Sequence, residues 1–61
     1  MSAVAHRARR LLTLFGHYRA NLELARDPDE PAPRRNAAWT RAANQRRRIE
    51  QHLTQLMESN A

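Results

Sequence analysis

The chain has no cysteine, no lysine, one glycine and only three aromatic residues, Phe15, Tyr18 and Trp39, among its 61 positions. Without thiols it can build neither a disulfide framework nor a cysteine-based zinc site. No apolar run approaches the ~18 residues that a bilayer-crossing helix needs. The segment Met1–Ala8 lacks the apolar stretch of a secretory signal, and Leu11–Phe15 is too short to supply it. The expectation is a cytoplasmic protein with no membrane partner. Val4 and Ile49 are the only β-branched aliphatic residues, which argues against strands.

Catalytic groups are equally sparse. Three of the six acids, Asp27, Asp29 and Glu30, sit together in one short segment, where they suit solvated helix-end charges. Ser2 and Ser59 lie near the termini, away from any base that could activate them. His6 and His17 are separated by about 16 Å along a helix axis, too far to share a metal ion. His52 could approach His6 across a hairpin, which would give two ligands at most. No glycine-rich phosphate loop is present. The chain is therefore expected to be no enzyme and to hold no cofactor or metal.

What is present is helix with one interruption. Asp27-Pro28-Asp29-Glu30-Pro31-Ala32-Pro33 holds all three prolines. Proline lacks an amide donor and constrains the residue before it, so an incoming helix should end near Arg26. Pro31 or Pro33 suits the first turn of the next helix, where the missing donor is not needed. Before the turn, Val4, Ala8, Leu11, Phe15, Tyr18, Leu22 and Ala25 alternate spacings of four and three, which places them on one stripe, with Leu12 and Leu14 beside it. After it, Trp39, Ala42, Arg46, Ile49, Leu53 and Leu56 repeat the pattern, flanked by Ala43 and Met57. The fold class is all-α: one domain over 1–61, with a helix at about 3–26, an acidic turn at 27–33 and a second helix at about 33–58. The short turn makes the two helices antiparallel neighbours.

The apolar arc of the first helix, from Leu14 round to Leu12, spans roughly 160°, wider than one partner helix covers. A homodimer forming a four-helix bundle is the simplest way to cover the remainder. The residues expected at protein interfaces are Leu11, Leu12, Leu14, Phe15, Tyr18 and Leu22 of the first helix, with Trp39, Arg46, Ile49, Leu53 and Leu56 of the second. Arg46 is the one charged member, and Glu50, one turn later, is its expected partner. Gly16 and Ala20 form a small-xxx-small pair, a weak signal beside the simpler reading of a tolerated surface glycine.

Charge points to a partner class. All eleven basic residues are arginine, against six acids, for a net charge of +5. Arginine's planar fork suits phosphate and carboxylate. Arg34, Arg41 and Arg48 recur every seven residues along the second helix, with Asn44, Gln45, Gln51, His52 and Gln55 alongside. Arginines for phosphate and amides for base edges or sugars are the inventory of nucleic-acid contact. The candidate nucleic-acid residues are Arg34, Arg41, Asn44, Arg47, Arg48 and Gln51. The expected function is a small binding or regulatory protein that presents this face to DNA or RNA. The alternative is an inhibitor, adaptor or assembly factor of the phage or mobile-element type, which grips a protein through Phe15, Tyr18, Trp39 and Arg46.

Overall fold

The computed structural model describes residues 2–59; Met1, Asn60 and Ala61, at the ends of the expected domain, lie outside them. Two helices make up the fold, α1 (Ala3–Arg26) and α2 (Ala32–Ser59), packed against each other as a hairpin. There is no strand among the described residues. Neither helix is long and apolar enough to cross a membrane.

Local chemistry sets each boundary. The Ser2 hydroxyl accepts the Ala5 amide at 3.1 Å and caps α1, satisfying one of the free donors at that end. At the other end the Asp27 amide returns to the Leu24 carbonyl at 3.3 Å. Asp27 Oδ1 then accepts the Asp29 amide at 2.9 Å, and its carbonyl accepts from Glu30 at 3.2 Å, so one aspartate folds most of the turn. The Pro31 carbonyl takes the amides of Arg34 and Arg35 at 3.0 and 3.1 Å, and α2 begins at Ala32, with Pro33 in its first turn. Arg34 and Arg35 face an unfavourable dipole there. Glu30 offsets it, lying 3.4 Å from the Arg34 guanidinium.

The molecule measures 44 × 18 × 11 Å. It is a slab one helix thick and two helices wide, so nothing among the described residues covers either broad face.

The seam between the helices follows a heptad-like rhythm. On α1 the half-buried or buried positions with this spacing are Arg7, Leu11, Leu14, Tyr18, Asn21 and Ala25, with Leu22 and Leu24 half-buried beside them; on α2 they are Arg35, Ala38, Ala42, Gln45, Ile49, His52 and Leu56. Spacings of three and four keep a residue at the contact over many turns. Small side chains dominate at the turn end, where Ala25, Ala38 and Ala42 are buried, with Ala38 wholly inaccessible.

This seam is rotated relative to the stripe read from the sequence. Val4, Phe15 and Trp39 are each 46% exposed and Leu53 is 41% exposed, so they lie at the flank of the helix–helix contact and not at its centre. Ala8 is exposed as well. The cause is the width of the apolar arc, which allows two neighbouring seams. Alanines at the contact let the backbones approach, whereas Phe15 and Trp39 would hold them apart. Leu12 and Met57, each 73% exposed, lie farther round the same side.

Candidate functional site

At about 100° per residue, the positions flanking the seam divide into two sets. Because the helices run antiparallel, the same flank of each helix contributes to the same broad side of the slab. One side carries Val4, Phe15 and Leu22 from α1, with Trp39, Leu53 and Met57 from α2. Tyr18, Leu22, Trp39, Ala42, Ala43 and Arg46 line a groove there of about 200 Å³, which joins the two helices.

The charges on this side are partly matched, since Arg26 and Arg35 also fall on it by helical position and make no ion pair among the described residues. Arg46 Nε donates to Glu50 Oε1 at 3.2 Å, as expected from the sequence. Arg19 stands 3.5 Å from Glu23 one turn along α1. Both pairs are largely exposed, and exposed pairs of this kind contribute only about 0.3–0.5 kcal/mol each. Their role is local neutrality rather than stability.

The opposite side is polar and basic. At its centre, Asn21 gathers a cross-helix cluster that spacing along the sequence did not predict. Its side-chain amide donates to the His17 carbonyl at 3.1 Å and to Gln45 Oε1 at 2.9 Å, and its Oδ1 accepts from Arg41 Nε at 3.0 Å. A signal for it exists: position 21 continues the spacing 7, 11, 14, 18, and Gln45 occupies the matching place on α2. Arg41 spends one of its five N–H donors on Asn21 and is fixed by it, leaving the others directed to solvent.

All six candidate nucleic-acid residues are exposed. By helical position Arg34, Arg41 and Arg48 form a row on the basic side, about 10.5 Å between successive members, and Asn44, Gln51 and Arg47 continue it round the back of α2. Arg41, Arg47 and Arg48 make no ion pair among the described residues, and Arg34 is engaged by Glu30. The candidate interface residues separate by depth. Leu11 and Ile49 are buried, Leu14, Tyr18, Leu22 and Leu56 are half-buried, and Leu12, Phe15, Trp39, Arg46 and Leu53 are exposed.

Away from the turn, Ala3, His6, Arg7, Arg10 and His52 line a pocket of about 140 Å³. The hairpin therefore does bring His52 to His6. It also sets Arg7 and Arg10 beside His52, whereas Arg46 shares its groove with Tyr18 and Leu22. No group of three or more His, Cys, Asp or Glu side chains positioned to hold a metal ion occurs among the described residues.

No family model, curated protein or solved structure matches this chain.

Proposed function

We propose that the chain is a small non-catalytic binding protein that pairs with a second copy through its apolar side and presents its arginine side to nucleic acid. The observation that supports this most is the difference between the two broad faces. One is largely apolar and carries two ion pairs, and the other carries arginines, Arg41 and Arg48 among them, without acidic partners.

Pairing would produce a homodimeric four-helix bundle. The broad face, 44 by 18 Å, projects to roughly 800 Å², about what one partner contributes to an interface of standard size. A two-fold interface places the same patch on both copies. Such a patch must tolerate its own charges, and the Arg46–Glu50 and Arg19–Glu23 pairs would set an acid beside two of its cations. The basic side has only Glu30, paired with Arg34, against its arginines and would repel its copy. Stacking through the apolar sides leaves both arginine rows facing outward.

Those rows then act as phosphate contacts, with Asn44 and Gln51 within reach of bases or sugars. Measuring affinity for duplex DNA and for RNA against salt concentration tests this directly. Replacing Arg41 and Arg48 by alanine should weaken binding. On duplex DNA it should also lower the log–log salt slope by about 0.9 for each phosphate that is no longer neutralised. Binding that ignores salt, or no binding at low salt, rejects the nucleic-acid reading.

A second reading is favoured by the groove at Trp39. Two aromatics and an arginine around one cleft are the residue types that anchor protein interfaces. A heterologous protein could occupy that side instead of a second copy. In that case the isolated chain stays monomeric, and capture of the partner survives nuclease but is abolished by Trp39→Ala.

A further inference from the structure

The pocket at the end remote from the turn is built for an anion. Four of its five lining residues are arginine or histidine, from both helices: His6, Arg7 and Arg10 of α1, and His52 of α2. No acidic side chain among the described residues lines it. Two polar atoms on these residues, Arg7 Nη1 and His52 Nδ1, are buried from solvent and have no hydrogen-bond partner. Such a group costs about 1–3 kcal/mol when left unsatisfied, and more when charged. Both belong to seam residues, so the packing that forms the hairpin also holds them in place. Ala3, the first residue of α1, adds the positive end of a helix dipole to the same wall.

A cation is excluded by the two guanidiniums, which cannot give up their protons. A carboxylate would satisfy one fork. A phosphate group offers more acceptor oxygens and up to two negative charges, which matches a lining of two guanidiniums and two imidazoles drawn from two helices. Duplex backbone phosphates are diesters with one charge each, held at a surface. A recessed pocket suits an end group better.

We propose that His6, Arg7, Arg10 and His52 form a binding site for a single phosphate or phosphomonoester group. This site is separate from the Arg34, Arg41 and Arg48 row and does not depend on the nucleic-acid reading. Its ligand is either free phosphate or the phosphorylated end of a strand, which share the same chemistry.

The test is a titration of the full chain with inorganic phosphate, followed through the imidazole resonances of His6 and His52, with sodium chloride as the control. The expected result is a saturable shift of both histidines at phosphate concentrations where chloride has no effect. Arg10 is exposed, so Arg10→Gln removes a donor without disturbing the seam; it should weaken phosphate binding at least tenfold, as should Arg7→Gln provided its circular dichroism is unchanged. Arg41→Ala with Arg48→Ala should leave phosphate binding intact, so failure of one proposal does not imply failure of the other. A second arm compares 5′-phosphorylated and 5′-hydroxyl oligonucleotides of one sequence. A tenfold preference for the phosphorylated strand, lost in Arg10→Gln, assigns the site to strand ends; equal binding of the two strands, with inorganic phosphate still bound, assigns it to free phosphate. A chloride-like response, or phosphate affinity unchanged by Arg10→Gln, overturns the proposal.

Discussion

The two broad faces of this hairpin are built from the same two helices and the same turn, yet they present opposite chemistry. One exposes Phe15, Trp39 and Leu53 beside self-contained ion pairs. The other exposes arginines, ordered at its centre by Asn21. A slab 11 Å thick has no second layer to hide either face. In so thin a fold, apolar side chains that would be core in a larger domain stay exposed on one face.

The sharpest way to break the comparison is to make the apolar face resemble the other. Leu53→Asp places a carboxylate on it at a position that is 41% exposed in the hairpin. If the face mediates self-association, the dimer dissociation constant should rise at least a hundredfold, about 2.7 kcal/mol, as read by sedimentation, while nucleic-acid binding per chain persists. A second experiment targets the seam that separates the faces. Ala38 is wholly inaccessible, so Ala38→Leu should overpack the contact and cost about 1–3 kcal/mol in urea unfolding. An unchanged midpoint would mean that the helices are not in close contact there.

Asn21→Ala probes the order of the basic side. It removes the bonds to Gln45 and Arg41 together, and chemical denaturation should register a loss of about 1 kcal/mol. Because Arg41 loses its brace, nucleic-acid affinity should also fall, though less than in the double arginine variant. The smallest effect has the opposite sign. A Cβ built at Gly16 meets nothing within 4 Å, so Gly16→Ala should gain helix propensity and stabilise the chain by up to about 1 kcal/mol. Weaker association in this variant would mean that Gly16 packs against a second copy.

The sequence was most legible where the chain's own chemistry decides the outcome. Three prolines and three acids in one short segment leave few alternatives to a turn, and the helix ends fall at Arg26 and Ala32 as proline sterics require. The Arg46–Glu50 pair followed from spacing alone. Rotation about the helix axes was not legible, because it is decided by both helices together. Phe15 and Trp39 looked like seam residues by hydrophobicity, but the contact needs small side chains and a polar pair that satisfies itself. Asn21 and Gln45 meet that need only in each other's company. The same rotation brings Arg7, a charged residue outside the apolar stripe, into the contact and creates the His6–His52 pocket. Spacing along one helix could suggest that the two histidines approach, but it could not show that two arginines accompany them.

Sedimentation equilibrium of the purified full chain at micromolar concentration tests the central claim most directly. An apolar face that belongs to a second copy predicts a species of twice the 7.1 kDa chain mass, shifting to single mass in Leu53→Asp with helical content retained. A well-folded species of single mass for the unaltered chain would contradict it.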